Sequence, residues 1–202
     1  MQFIMTMQMT DSFIYKREPA EAIAISRRFS FTPFNTFGIE TAPWATSNYR
    51  GFRCDYDIDA SLVIKNLYLF SKNHSYPLIN GQKAEEIPEY TSILSEINKK
   101  TRVPKRYRDG FPMQYIGINY AYKYSGNIVL GLNPESGMSR CERYLKVVEL
   151  CFADGILTES SEITDLWRSA NEQKEKDSTR YWWEEKENDY VYLINLGFMG
   201  KG

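Results

Sequence analysis

From Phe52 to Ile58 the side chains change character at every step. Phe52, Cys54, Tyr56 and Ile58 alternate with Arg53, Asp55 and Asp57. A period of two is strand spacing, with one face dry and one wet. Asp59-Ala60-Ser61 supplies a turn, and Leu62 to Phe70 returns as a more apolar strand. The chain therefore commits early to an antiparallel hairpin. The lead-in, Thr46-Ser47-Asn48-Tyr49-Arg50-Gly51-Phe52, places a glycine just before the first strand. Gly51 permits an unusual backbone angle or a close chain approach there, and Arg50 can pair with a carboxylate or with carbonyls.

The rest of the chain follows the same pattern. Ser12–Tyr15 reads as a short strand, Lys16-Arg17-Glu18-Pro19 as a turn and Glu21–Ser26 as the return strand. Phe29–Pro43, with four Phe and two Pro, reads as an irregular aromatic segment. Asn80-Gly81 and Asp154-Gly155 are strong hairpin-turn dipeptides. Tyr144–Phe152 and Ile156–Thr158 flank the second of them. Tyr115–Tyr124 and Ile128–Leu132 read as a strand pair around Ser125-Gly126-Asn127, and Tyr190–Leu196 as a last strand.

Two helices are expected. Pro88–Lys100 carries Ile93, Leu94 and Ile97 on one stripe, and residues 162–176, capped by Ser160 or Ser161, carry Ile163, Leu166, Trp167 and Ala170. Short turns join antiparallel neighbours, because parallel pairs need long crossovers. The expected class is mainly antiparallel β (α+β). It is one twisted sheet, sandwich or partly open barrel with two short peripheral helices, near 88–100 and 162–176. Its 202 residues suit a single domain over 1–202. A chain of that size buries roughly 70% of its unfolded surface, so it needs no staple.

Composition excludes several functions. The net charge is −1, which gives no field to draw nucleic acid or an anionic membrane. No apolar run is long enough to span a bilayer as a helix. Met1–Thr10 reads as a poor signal peptide, and the cysteines read as buried thiols in a reducing cytoplasm, the expected location. Cys54, Cys141 and Cys151 cannot all pair with one another, and their spacing fits no zinc motif.

The candidate chemistry is thin. The single histidine, His74, sits in a polar loop, and nothing flanking a cysteine activates it as a nucleophile. Asp55, Asp57 and Asp59 would share one strand face and can be imagined holding a metal for a hydrolase. They fail the calcium-loop pattern, because Ala60 and Asn66 stand where Gly and Glu are required. The plainer reading is an acidic, wet strand face. Arg50-Gly51-Phe52 opens like an RNA-binding strand but continues into carboxylates that would repel phosphate. Lys99, Lys100, Arg102, Lys105, Arg106 and Arg108 form the basic cluster, best read as a solvated helix end. There is no phosphate-binding glycine loop and no Gly-x-Ser-x-Gly turn. No catalytic residue, metal ligand or cofactor is assigned.

Tyr181-Trp182-Trp183 followed by Glu184, Glu185 and Glu187 is the candidate partner-binding patch. Tryptophan is common at interface hot spots, and an acidic rim suits a basic partner. The expected function is a non-enzymatic binding protein. The alternatives are the metal-dependent hydrolase on Asp55, Asp57 and Asp59, and a small-ligand binder with a Tyr-lined cleft.

The segment Thr46 to Phe52, the strand ending Asn66-Leu67-Tyr68-Leu69 and the turn Pro77-Leu78-Ile79-Asn80-Gly81 resemble a group of uncharacterised bacterial proteins. That group carries Thr-x-x-aromatic-Arg-Gly-aromatic, a hairpin ending Leu-Tyr-Leu, and a Pro-x-Ile-Asn-Gly turn. Tyr124–Gly131 and Val148–Leu157 are similar to it as well. The resemblance implies a small cytoplasmic bacterial protein. By association it also implies an antitoxin or immunity role, with a toxin domain as protein partner.

Overall fold

The computed structural model describes residues 11–27, 29–43, 49–87, 111–134 and 144–169. They are mostly strand: β1 (Ser12–Tyr15), β2 (Glu18–Ile25), β3 (Phe52–Ile58), β4 (Leu62–Leu69), β5 (Glu85–Glu86), β6 (Met113–Tyr115), β7 (Tyr120–Ala121), β8 (Gly126–Pro134), β9 (Tyr144–Ala153) and β10 (Ile156–Glu162). They form one open sheet in the order β10-β9-β8-β2-β1-β3-β4-β6-β5, with β7 beside β4. The expected mainly antiparallel β class is the class observed.

The sheet is mixed, because one pair runs parallel. Cys54 N–H donates to the Asp11 carboxylate, and Lys16 N–H donates to Ile58 O. Residue numbers thus rise together along β1 and β3. Short turns gave no sign of this pairing, since its crossover passes through β2 and the aromatic segment after it.

Tight turns fall where small polar residues allow them. Asp154 (φ 50) and Gly155 (φ 82) turn β9 into β10, and Asn80 (φ 48) and Gly81 (φ 78) bridge Ile79 to Gln82. Lys16 (φ 49) and Arg17 (φ 71) make the β1–β2 turn by themselves. The strand therefore resumes at Glu18 and runs through Pro19, ahead of the expected Glu21. The expected strand over Tyr115–Tyr124 is broken, because Gly117 and Asn119 take positive φ. Gly126 and Asn127 lie inside β8 and not in a turn.

One helix was not expected. Within the aromatic segment, α1 (Pro33–Phe37) has Thr32 as its N-cap, accepting from Asn35 N–H, and left-handed Gly38 as its stop. Residues 164–169 are helical. This helix starts later than expected, because Ser160 and Ser161 are strand residues of β10. The helix expected at 88–100 and the strand at 190–196 lie outside the described residues. Among the described residues, no helix is long and apolar enough to cross a membrane.

The described residues fall into two compact units. The first gathers Asp11, Phe31–Asp55 and Ile64–Tyr120; the second gathers Ser12–Ser30, Tyr56–Val63 and the residues from Ala121 onward. In the first, Phe31 meets Phe37 and Phe52 edge to face, and Tyr120 closes on Phe37. In the second, Phe13 stacks on Tyr56 at 5.0 Å, and Phe29 packs against Tyr56, Tyr122 and Tyr124. A further cluster there joins Ile23, Val129, Tyr144, Val147 and Trp167. Ile128 to Leu132 is buried without alternation, the pattern of a strand covered on both faces.

Candidate functional site

In the first unit the wet faces of β3 and β4 meet around Asp55. Alternation places Arg53 and Asp55 on that face. On β4 the burial pattern slips at Lys65 and Asn66, both half-buried, as at a β-bulge. The slip brings Asn66 and Tyr68 to the same side. Asp55 Oδ2 then accepts from Asn66 Nδ2 at 2.9 Å and from the Tyr68 hydroxyl at 2.8 Å. Its Oδ1 accepts from Arg53 Nη2 at 3.3 Å. The Arg53 guanidinium lies 4.5 Å over the Tyr68 ring. Gly117 N–H completes the group by donating to Asn66 Oδ1 at 3.0 Å.

This geometry immobilises the carboxylate. Both oxygens hold donors, one of them charged, and such bonds are the stronger kind. Burial, then the bond to Asp55 and its negative charge, push the Tyr68 phenol above its ordinary range. A phenol held protonated keeps donating and is a poor base.

Asp57 is half-buried on β3, and Asp59 is exposed beyond its end. Among the described residues, no three His, Cys, Asp or Glu side chains are grouped to hold a metal ion.

A second charged group pins the start of β3. Arg50 Nη2 and Nη1 reach the two oxygens of Asp11 at 2.8 and 3.2 Å, and the Arg50 guanidinium lies 4.8 Å over Phe52. Gly51 is needed beside it. With φ +70, it lies where a Cβ would stand 2.3 Å from Ala42 O.

The remaining candidates are scattered. His74 is exposed, with φ 55, and packs edge-on against Phe70 at 5.6 Å. The buried Ser71 organises its loop by hydrogen bonds with Asn73 and Ser75 N–H. Cys54 is fully buried. Cys151 is half-buried, and burial, with Glu149 and Glu159 adding repulsion, raises its thiol. A raised thiol is the opposite of an activated nucleophile. The patch Trp182, Trp183, Glu184, Glu185 and Glu187, the basic run Lys99–Arg108 and Cys141 lie outside the described residues.

Sequence reading gave the start of β10, Ile156–Thr158, but not its continuation to Glu162. Residues 156–162 are all exposed or half-buried. β10 pairs with β9 from Ile156↔Ala153 to Glu162↔Val148, with a bulge between Leu157 and Glu159. Its Asp-Gly turn was legible, but its length was not, because Thr158-Glu159-Ser160-Ser161-Glu162 has no apolar alternation.

Comparison with known proteins finds no matching family model, no matching curated protein and no matching solved structure.

Proposed function

We propose that this chain is a non-enzymatic binding protein, most concretely a cytoplasmic bacterial protein of the immunity or antitoxin type that blocks a toxin domain. The observation that carries the reading is Asp55. The carboxylate best placed for chemistry is held by Arg53, Asn66 and Tyr68, a set of bonds that ties strand to strand. The thiol of Cys151 and the phenols of Tyr68, Tyr115 and Tyr124 are all pushed toward their protonated forms. Such groups recognise and pack; they do not attack. In this reading the sequence run Trp182, Trp183, Glu184, Glu185 and Glu187 binds a basic partner.

The test is co-expression of the full chain with the product of the neighbouring upstream gene. Co-purification and relief of that product's toxicity are expected. Glu184→Lys combined with Glu185→Lys is expected to weaken capture, and unchanged capture would remove the patch from the proposal. The hydrolase alternative makes the opposite forecast. A ligand that binds the folded state raises its apparent stability. A rise in melting temperature with calcium, magnesium or manganese, lost in Asp55→Asn, would favour a metal enzyme over a binding protein.

A further inference from the structure

We infer that the outer edge of β10, from Glu159 to Glu162, takes an extended, lysine- or arginine-bearing segment of a partner protein as an added strand. The inference rests on the binding-protein reading and names where and how one partner segment docks.

The backbone argument comes first. Ile163 N–H donates to Val147 O at 2.9 Å, so it points back toward β9. Antiparallel strands turn successive amides to opposite sides. Counting back, Ser161 faces β9, while Glu162 and Ser160 present their N–H groups outward. At the hairpin end the outward position is already used, since Leu157 N–H donates to Ala60 O at 3.0 Å and Ile156 bridges Ser61. Past the bulge, no described strand pairs with the outer edge of β10, the end strand of the sheet, and the contact there is the Ser160 hydroxyl with that of Tyr15 at 2.8 Å. An edge with no pairing strand among the described residues is a template for strand addition, in which main-chain bonds supply affinity.

The charges choose the occupant. Glu159 has no cation beside it among the described residues, and Glu162 has only Lys146 at 3.7 Å. The two carboxylates project to opposite faces of the strand by alternation, so an incoming strand meets negative charge on both sides. A second copy of this chain would set glutamate against glutamate, and like charges directly opposite destabilise a pair. Charged edges discourage self-association. The same charges favour a basic strand. The other end of the sheet offers no equivalent, because β5 is only Glu85–Glu86.

The experiment uses the full chain and a fluorescein-labelled synthetic nonapeptide alternating lysine and valine, followed by anisotropy. Two control peptides differ in one property each: one carries glutamate in place of lysine, the other N-methyl groups on alternate amides along one edge. Binding of the lysine peptide is expected, with both controls at least tenfold weaker. Glu159→Lys is expected to weaken it several-fold. Amide exchange of the free chain should be fast at Ser160 and Glu162 and should slow when the peptide binds.

Equal binding of the N-methylated peptide would reduce the effect to unspecific charge and overturn the inference. So would no binding, or Ser160 and Glu162 amides already protected in the free chain, whether by a second copy or by the chain's own residues. The peptide controls alter no residue of the protein, so none of these outcomes can be blamed on misfolding. Failure here with partner capture intact removes the edge alone; failure of both removes the binding reading.

Discussion

The two compact units hold their strands by different means. In the first, carboxylate clamps are added to the ring contacts of Phe31, Phe37, Phe52 and Tyr120: Asp11 ties Arg50 to Cys54 N–H, and Asp55 ties Arg53, Asn66 and Tyr68 together. In the second, the larger ring cluster dominates, with Phe13, Phe29, Tyr56, Tyr122 and Tyr124 packed together, and the carboxylates of Glu21 and Glu149 each accept a side-chain bond. Carboxylate clamps are directional and depend on charge. Ring clusters are nearly indifferent to charge but sensitive to volume. The same sheet architecture therefore rests on two sets of sensitivities.

The sharpest way to break this comparison is to delete a ring. Tyr56 is 1% exposed, and Tyr56→Ala is expected to cost about 3–5 kcal/mol in urea unfolding, as for other large aromatic truncations. A loss under about 1 kcal/mol would mean that the ring cluster does not hold the second unit. In the first unit, Asp55→Ala strands three donors and is expected to cost about 1–3 kcal/mol. Asp55→Asn keeps an acceptor and should cost less. If both substitutions cost the same, the cluster is packing and not a hydrogen-bonded clamp.

The next effect is in alkali. Burial, with Tyr76 adding repulsion, pushes the Tyr115 phenol up to about 12 from its ordinary 10.0, while its hydroxyl donates to Pro77 O at 2.7 Å. The unfolded phenol loses its proton near 10, whereas the folded one keeps it until about 12. Across that window the unfolded chain binds fewer protons, so stability is complete below pH 10 and falls as pH rises toward 12. Tyr115→Phe should flatten this decline in pH-stepped denaturant titrations. An unchanged slope would assign the decline to Tyr68 and Tyr124, which are raised in the same direction.

How much of this was legible in the sequence depended on distance along the chain. Phe52, Cys54, Tyr56 and Ile58 are buried as their alternation predicts, and the Asn80-Gly81 and Asp154-Gly155 turns form where the dipeptides predict. Gly51 makes the close approach expected of it, and Arg50 finds a carboxylate. These are local signals. The parallel run of β1 along β3 has no local signal, because the partners are remote and the crossover is irregular. Nor does Asp55's clamp, since the slip in the burial pattern at Lys65 and Asn66 goes with which β4 side chains reach it. Read along one strand, Asp55, Asp57 and Asp59 looked like a row of equivalent acids. Across strands, Asp55 is tied by three side chains, while Asp59 stands in solvent.

The pairing of Ala20 with Leu132, and the 2.8 Å contact of the Tyr15 hydroxyl with Ser160 Oγ, also carry a kinetic consequence. A ribosome adds about 5–20 residues per second, so the 145 residues between Tyr15 and Ser160 take roughly 7–30 s to emerge. For most of that interval, until Gly126–Pro134 is made, the first hairpin has no β8 neighbour, and it lacks its distant hydroxyl contact throughout; a lone hairpin is marginal in water. The newborn amino-terminal strands must wait, sticky and half-made, and this is the stage at which a chaperone would earn its keep.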